Sequence, residues 1–283
     1  MQLVSTRTRL DLSSPAVMGI LNVTPDSFSD GGNWTDAGRA VDYALGMLEA
    51  GAGIVDIGAE STRPGAASVP AQEQLSRLLP VLTQLRAETD AFLSVDTGNA
   101  DVIRAAADAG ADMINDVYAL QQPGALEAAA ESGLALGLMH MQGEPATMQE
   151  DPRYDDLPGE VLRFLRARAA ACVDAGVDAN RIAVDPGFGF GKTDDHNLGL
   201  LADLGCFREL GFPLLVGWSR KGTLGAITGR PVEQRLPASI AAAVLAVESG
   251  AHIVRVHDVP ETVDALKIVS AVARAGMQGG PAG

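Results

Sequence analysis

Polar residues follow short apolar runs at many points along this chain, and their types suggest how they would bind a ligand. Aspartate and asparagine side chains present directional hydrogen-bond acceptors and, for asparagine, donors. Arginine, lysine and histidine are partners for anionic oxygens. The informative feature is the mixture of amide, carboxylate and cationic types. The residues concerned are Asn22, Asp56, Glu60, Arg63, Asp96, Asn115, Asp116, His140, Asp185, Ser219, Arg220, Lys221, Arg255, His257 and Asp258.

Four of these residues suit a flat heterocycle that carries NH groups along its edge. Asp96, Asn115 and Asp185 have short side chains that can form directional hydrogen bonds with the NH groups of such an edge. Lys221 can donate to a ring carbonyl or ring nitrogen. This part of the set therefore indicates a nitrogen heterocycle as ligand.

The cationic members of the set indicate an anion next to that heterocycle. Arg63, Arg255 and His257 occur in a chain of formal charge −15, so a local cluster of cations suggests anionic oxygens as partners. Asn22, beside the sequence TPDS, can hold a hydrated Mg²⁺, which binds through few protein ligands together with substrate phosphates. The whole inventory describes a heterocycle joined to a diphosphate.

The segment DPGFGFGKT (185–193) is similar to the end of a nucleotide-binding P-loop. That motif needs a glycine five residues before its Gly-Lys pair, and this position is Pro186. A P-loop also starts its helix at Gly-Lys-Thr, whereas four polar residues (194–197) come first here. We therefore reject a P-loop, and we expect Lys192 to be an ordinary loop cation.

Short β-rich runs alternate with longer amphipathic stretches along the chain, which predicts parallel strands joined by crossover helices. Three segments repeat one pattern, a glycine that ends a helix followed by an apolar strand: 49–58, 108–117 and 248–257. A doubly wound sheet is the competing fold, but the first turn contains no GxGxxG. The eight runs are 17–23, 54–60, 91–97, 113–117, 135–141, 182–186, 214–218 and 253–259.

Eight such units predict a (β/α)8 TIM barrel, and 283 residues fit the roughly 250 typical of that fold. In such a barrel the chemistry lies at the C-terminal ends of the strands, where the polar residues above would converge. Without a composition break, we predict one domain over 1–275 and a disordered tail over 276–283.

Composition limits the partners of the protein. A pI of about 4.6 argues against nucleic acid, which requires a broad basic surface. Two cysteines without a CxxC spacing argue against a disulfide framework or structural zinc. We expect no membrane span, no secretory signal and a cytoplasmic location. The helix PASIAAAVLAVE is apolar almost all round, so we expect it to be deeply packed or to form a subunit contact.

The order of eight motifs resembles that of the bacterial dihydropteroate synthases, over about 15–265. The motifs are MGILNVTPDSFSDGG, ESTRPGA, SVDT, INDV, LMHMQG, DPGFGFGK, SRK and RVHDV. The resemblance implies a (β/α)8 barrel enzyme of folate biosynthesis. Such an enzyme joins 6-hydroxymethyl-7,8-dihydropterin diphosphate to para-aminobenzoate with Mg²⁺, is a homodimer and is the target of sulfonamides.

The resemblance also implies roles for particular residues. It implies catalytic roles for Arg63, Asp96, Asp185 and Lys221, and ordinary sulfonamide sensitivity because the STRPGA loop is intact. Trp218 and Gly222 depart from the pattern that the family leads us to expect. By subsite, the implied residues are Asp96, Asn115, Asp185 and Lys221 for pterin, Asn22, Arg255 and His257 for diphosphate and Mg²⁺, and Phe28, Thr62, Arg63, Pro64, Phe190 and Ser219 for para-aminobenzoate.

Two alternatives remain open from the sequence. A pterin-binding methyltransferase would share Asp96, Asn115 and Asp185 but would have no use for STRPGA or SRK. A catalytically silent relative would bind pterin or a partner without turnover. For the synthase we expect a dissociative substitution, because the amine of para-aminobenzoate is a weak nucleophile and departure of diphosphate must come first.

Overall fold

A computed structural model of the protein describes residues 1–24, 33–61 and 68–278 and contains a barrel of eight parallel strands. A two-stranded antiparallel hairpin, β1 (Gln2–Val4) and β2 (Arg9–Asp11), precedes the barrel. The barrel strands are β3 (Ala16–Asn22), β4 (Ile54–Gly58), β5 (Phe92–Asp96), β6 (Met113–Asp116), β7 (Ala135–Met139), β8 (Ile182–Asp185), β9 (Leu215–Val216) and β10 (Ile253–Val256).

Helices alternate with these strands and form the outer layer. Shorter 3-10 turns span Ala179–Arg181, Leu204–Leu210 and Val232–Gln234. The α-helices are α1 (Asn33–Glu49), α2 (Ala71–Glu88), α3 (Ala100–Asp108), α4 (Ala125–Ser132), α5 (Leu157–Asp174), α6 (Asp194–Ala202), α7 (Gly222–Thr228), α8 (Leu236–Glu248) and α9 (Val259–Gln278).

The sheet closes on itself. Hydrogen-bonded neighbours run in the order β8, β7, β6, β5, β4, β3, β10, β9. A parallel bridge between Val184 and Leu214, with a hydrogen bond of 2.9 Å from Val184 N to Pro213 O, joins the two ends. Each of the eight predicted runs overlaps one strand, so the predicted (β/α)8 barrel is confirmed. The division at residue 275 stays a prediction; α9 ends at Gln278, and 279–283 lie outside the described residues.

Side chains alternate along each strand between the barrel interior and the helical layer. The first inward layer is apolar, and Leu3 and Leu12 from the hairpin segment pack against it. The hairpin therefore closes the N-terminal end of the barrel, a feature that the sequence did not predict. The layer consists of Met18, Ile54, Phe92, Met113, Ala135, Ala183, Leu215 and Ile253.

Two expectations about surfaces can be compared with the fold. Among the described residues, no helix combines the length and the apolar character that crossing a membrane requires. In α8, Ala242 and Ala246 are buried while Leu245, on the outer face, is 56% exposed. The helix is thus packed on one face only, which leaves the expected subunit contact as a proposal.

Candidate active site

The inward-facing positions become polar two residues beyond the apolar layer. The period of two along each strand carries Asp56, Asn115, Asp185 and Arg255 into the interior above Ile54, Met113, Ala183 and Ile253, respectively. Asp96 lies four residues beyond Phe92, on the same face of β5. The barrel register therefore gathers the predicted residues at the C-terminal mouth, where TIM-barrel enzymes place their active sites.

Arg255 is the centre of this cluster. Its Nε donates to Asp56 Oδ2 at 2.6 Å, and its Nη2 donates to Asp96 Oδ2 at 2.8 Å. Asn115 Nδ2 donates to the same oxygen of Asp56 at 3.3 Å. Side chains from β4, β5, β6 and β10 thus share one hydrogen-bonded network. Asp56 is fully buried, so it needs the guanidinium as a counter-charge.

Asp56 has no role in the site predicted from the sequence, although it was noted as a strand-end residue. The signal that would have found it is its inward register on β4, two residues beyond Ile54 of the apolar layer. Burial raises the pKa of Asp96 well above its ordinary value, and the neighbouring Asp56 carboxylate raises it further while Arg255 opposes both. The network thus holds two carboxylates close together around one cation.

Asp185 and Lys221 form the second part of the site. Asp185 Oδ1 accepts a hydrogen bond of 2.7 Å from Gly187 N. Burial raises the pKa of Asp185 to about 6, against the hydrogen bond from Gly187 and the charge of Lys221. Burial lowers the pKa of Lys221 to about 8, and the charge of Arg255 lowers it further. The Lys221 ammonium lies 4.2 Å from the centre of the Phe190 ring, a cation–π contact.

Asn22 faces the same mouth, at the end of β3. A methyl group added to Gly58 would lie 3.6 Å from both Asn22 Oδ1 and Asp96 Cβ, so these two residues flank the glycine. Within residues 1–24, 33–61 and 68–278, no three histidine, cysteine or acidic side chains converge as a metal-binding group. A single amide oxygen fits a Mg²⁺ that takes its other ligands from water and from a substrate diphosphate, and does not fit a permanently resident ion.

Ser219 and His257 meet at the ends of β9 and β10. Ser219 Oγ lies 3.0 Å from His257 Nδ1 and accepts a hydrogen bond of 3.1 Å from His257 N. The next residue, Arg220, has a φ of 59°, which is uncommon for a residue with a side chain. Its side chain pairs with Asp258, and its amide donates to Ser239 Oγ at 3.0 Å. These contacts hold the turn that presents Ser219 and Lys221.

Two other residues at this end of the barrel differ from expectation. Lys192 is not an ordinary loop cation, because its side chain is buried among polar partners. Trp218 points away from the site and packs against Phe188 in the layer between strands and helices, with ring centroids 4.7 Å apart. This packing accounts for a large residue at position 218. His140 packs edge-on against Phe164, with 5.0 Å between the ring centroids. This contact agrees with a packing role for His140.

Several predicted residues cannot be placed by the structure. Phe28, Thr62, Arg63 and Pro64 lie outside the described residues, so their roles stay predictions. By contrast, Asn22, Asp96, Asn115, Asp185, Phe190, Ser219, Lys221, Arg255 and His257 all lie at the C-terminal mouth of the barrel.

Gln74 is a buried polar residue that the sequence interpretation missed. Its Nε2 donates to Glu60 Oε2 at 3.1 Å and to Val69 O at 2.8 Å, and its Oε1 accepts from Thr97 Oγ1 at 3.1 Å. Glu60 Oε1 also accepts from Val69 N at 2.8 Å. The available signal was a glutamine in register with the buried apolar residues of α2, such as Leu78. This network ties the ends of β4 and β5 to α2.

The barrel and its charged mouth are those of a pterin-binding barrel enzyme. A family model described as pterin binding enzyme matches residues 18–257. The curated dihydropteroate synthase of Escherichia coli K12 is 52% identical over 271 residues, which cover 96% of each chain.

Two solved structures agree with this family. The crystal structure of Yersinia pestis dihydropteroate synthase in a sulfonamide drug complex has a TM-score of 0.92 and 52% identity, over 97% of this chain and 100% of that chain. Xanthomonas albilineans dihydropteroate synthase with 4-aminobenzoic acid has a TM-score of 0.91 and 50% identity, over 99% of each chain. The chain belongs to the dihydropteroate synthases, as its motifs indicated.

Proposed function

We propose that this protein joins 6-hydroxymethyl-7,8-dihydropterin diphosphate to para-aminobenzoate, giving 7,8-dihydropteroate and diphosphate. Identity of 52% to a curated synthase over nearly the full chain supports this activity. So do the relatives whose structures contain a sulfonamide drug or 4-aminobenzoic acid. The observation that carries the proposal is the 2.8 Å contact between Arg255 and Asp96, because it joins the proposed diphosphate and pterin subsites.

The pterin is proposed to bind through four side chains around its edge. Asp96, Asn115 and Asp185 offer acceptors and an amide donor, as the NH-bearing edge of a pterin requires. Lys221 offers an ammonium to the ring carbonyl or a ring nitrogen. Burial of Asp185 and Asp96 favours this use, since a hydrogen bond to a partly desolvated carboxylate is stronger than one made in water.

The diphosphate is proposed to bind on the adjoining side of Arg255. Two of the five guanidinium N–H groups contact Asp56 and Asp96, which leaves other donors for anionic oxygens. His257 and Arg63 are proposed to add positive charge there. Asn22 would hold Mg²⁺ together with diphosphate oxygens, and the ion would supply charge neutralisation for the leaving group.

The chemical step is proposed to be a dissociative substitution. The bond between the pterin methylene carbon and the diphosphate oxygen breaks, and its electron pair leaves with the oxygen. Arg255, His257 and Arg63 would stabilise this developing charge, and Asp96 and Asp185 would stabilise the carbocation left on the pterin. The aniline nitrogen then bonds to the methylene carbon and loses a proton. No covalent bond to the protein forms.

Para-aminobenzoate is proposed to bind above the methylene, on the side of Phe190 and Ser219. The buried Phe190 offers an aromatic surface for the benzoate ring, and Ser219 offers a hydroxyl that His257 orients. Thr62, Arg63, Pro64 and Phe28 are assigned to this side by resemblance. A sulfonamide has the same ring and amine, so we expect ordinary competitive sulfonamide inhibition with respect to para-aminobenzoate.

A direct assay tests the function. The protein is mixed with dihydropterin diphosphate, para-aminobenzoate and Mg²⁺, and release of diphosphate and formation of dihydropteroate are measured together. The proposal predicts equal amounts of the two products, and formation of both about 10²–10³-fold more slowly in Arg255→Met. Binding of the pterin substrate without release of diphosphate would contradict it and favour a silent pterin-binding protein.

We also propose that the protein is a homodimer in the cytoplasm. Apolar side chains on the outer faces of the adjacent α8 and α9 support a subunit contact, with Leu245 56%, Ile268 67% and Val272 67% exposed. The free thiols Cys172 and Cys206 suit a reducing compartment. Sedimentation equilibrium tests the dimer: Leu245→Glu with Ile268→Glu should yield monomers, and a monomeric wild-type protein would contradict it.

A further inference from the structure

The turn at residues 187–191, within the segment that is similar to a P-loop, fits closely against the loop after β7. Gly187 and Gly191 have φ angles of 72° and 60°, which residues with a side chain rarely adopt. A Cβ at Gly187 would collide with the carbonyl oxygen of His140, and one at Gly191 would collide with that of Gln142. The glycines therefore allow close contact between the loops that follow β7 and β8.

Lys192 lies at the centre of this contact with its side chain only 2% exposed. Its Nζ donates to Gly187 O at 2.9 Å and to Phe190 O at 3.1 Å, and it lies 3.0 Å from His140 Nδ1. An ammonium has three N–H donors and no acceptor, so each donor has one partner here. Because the Lys192 ammonium can only donate, His140 Nδ1 must be the acceptor, and the ring is neutral.

The environment of His140 agrees with that assignment. Burial lowers the pKa of His140 to about 3, and the positive charge of Lys192 lowers it further. Two backbone groups of the turn also have partners outside it. Asn197 Oδ1 accepts from Gly189 N at 2.7 Å, and Tyr154 Oη donates to Gly191 O at 2.7 Å. The turn is thus fixed by Lys192, by Asn197 in the first turn of α6 and by Tyr154 in the segment that follows β7.

The opposite side of the turn contacts two residues of the site. Gly187 N donates to Asp185 Oδ1, and the Phe190 ring lies under the Lys221 ammonium. A Cβ on Gly189 would lie only 3.1 Å from Lys221 Cδ, so the Lys221 side chain runs along the turn. Lys192 donates hydrogen bonds to the carbonyl groups of Gly187 and Phe190. These are the two residues that contact Asp185 and Lys221.

We propose that Lys192 is a positioning residue: its buried ammonium fixes the 187–191 turn so that Phe190 and Gly187 hold Lys221 and Asp185 in their working positions. This inference rests on the proposed function, in which Lys221 and Asp185 bind the pterin and Phe190 faces para-aminobenzoate. Lys192 itself is enclosed by protein atoms and acts through the turn.

The lysine content of the chain makes a direct test possible. The sequence contains three lysines, Lys192, Lys221 and Lys267, so lysine labelled with ¹³C at Cε gives three side-chain NMR signals. Because Lys221 Nζ lies above the Phe190 ring, 4.2 Å from its centre, we expect the adjacent Cε protons to be shielded by the ring. Burial lowers the pKa of Lys192 to about 7, as it lowers that of Lys221 to about 8, so spectra are recorded at pH 6, where both side chains are ammonium ions.

The proposal predicts that Lys192→Met moves the Lys221 signal downfield, toward the position of an exposed lysine. It also predicts that kcat/KM for both substrates falls by on the order of 100-fold, because a displacement of about 1 Å at a reacting site has that effect. Lys267→Met removes the same charge from the exposed face of α9 and should change neither quantity. A residue that only adds stability would lower Tm without moving the Lys221 signal.

Two outcomes would overturn the proposal: an unchanged Lys221 signal in folded Lys192→Met, or a shifted signal with kcat/KM within about twofold of wild type. If Lys192→Met does not fold, Lys192→Gln, whose amide keeps two donors, is measured by the same criteria. Failure of the proposed function would be recognised separately, as a wild-type protein that shows the shielded Lys221 signal but forms no dihydropteroate.

Discussion

The guanidinium of Arg255 donates a hydrogen bond of 2.8 Å to the carboxylate of Asp96. The two residues come from strands that are not neighbours, β10 and β5, so the contact crosses the barrel interior. In the proposed function, Asp96 contacts the pterin and Arg255 contacts the diphosphate. Their contact therefore marks the position at which the bond between the two halves of the substrate would break.

The first prediction concerns the dual role of Arg255 as counter-charge and diphosphate ligand. Arg255→Met leaves Asp56 and Asp96 without their cation, so it should lower the free energy of unfolding by about 3–5 kcal/mol. Turnover should fall by about 10²–10³-fold, since a group that stabilises the leaving charge is lost. Urea denaturation and steady-state kinetics measure the two effects.

The same experiment has a matched control on the surface. Arg166 pairs with Glu209 on the exposed outer side of the barrel, so Arg166→Met should lower the free energy of unfolding by less than about 1 kcal/mol. Adding Asp96→Asn to Arg255→Met should restore part of the lost stability without restoring turnover. Equal free energies of unfolding for Arg255→Met and Arg166→Met would contradict the role of Arg255 as a buried counter-charge.

The second prediction concerns the pH dependence of kcat/KM in the free enzyme. The pKa of Asp185 is raised to about 6, so its carboxylate is lost as the pH falls through that value. The pKa of Lys221 is lowered to about 8, so its ammonium is lost as the pH rises through that value. Burial also raises the pKa of Asp96 and lowers that of Lys192, each to about 7. We therefore expect a narrow bell-shaped profile to which all four groups contribute.

Variants assign each side of that profile. Asp185→Asn should lower kcat/KM by about 10²–10³-fold, and it should remove the contribution of Asp185 to the acid-side decrease while leaving that of Asp96. Lys221→Arg keeps a cation at all accessible pH values, so it should remove the contribution of Lys221 to the alkaline decrease and leave that of Lys192. A profile in Lys221→Arg with an unchanged alkaline decrease would show that another group titrates there.

The third prediction concerns Gln74, which connects Glu60, Val69 and Thr97. Gln74→Leu preserves much of the volume but removes the hydrogen bonds to Glu60 Oε2, Val69 O and Thr97 Oγ1, so it should lower the free energy of unfolding by about 1–3 kcal/mol. Denaturation in urea measures the effect. The control Gln122→Leu, at an exposed position, should change stability by no more than about 0.5 kcal/mol. Equal effects would mean that the network adds nothing.

The barrel was predictable because local signals agreed with the global fold. Helix-ending glycines such as Gly51 and Gly250 precede apolar strands, and polar residues such as Asn115 and Asp185 follow them, so strand positions and strand ends could be located together. Once the strands were known to be parallel, convergence of their C-terminal residues followed from the geometry of the fold.

The features that were missed depend on tertiary contacts that leave weak local signals. The N-terminal hairpin has strands of only three residues, and it is defined by Leu3 and Leu12 packing into the barrel end. Lys192 looks like a surface cation in sequence because its three partners are carbonyl and imidazole groups brought together by two separate loops. Gln74 contacts residues from β4 and β5, which the pattern of α2 alone does not specify.

Breakage of the carbon–oxygen bond before attack by the amine is the central chemical claim, and a secondary deuterium isotope effect tests it most directly. Dihydropterin diphosphate with two deuterium atoms on the methylene carbon is compared with the protium substrate in single turnovers at saturating para-aminobenzoate. A dissociative step predicts a normal isotope effect clearly above unity, because the methylene carbon becomes planar as diphosphate leaves. An isotope effect at or below unity would contradict this account.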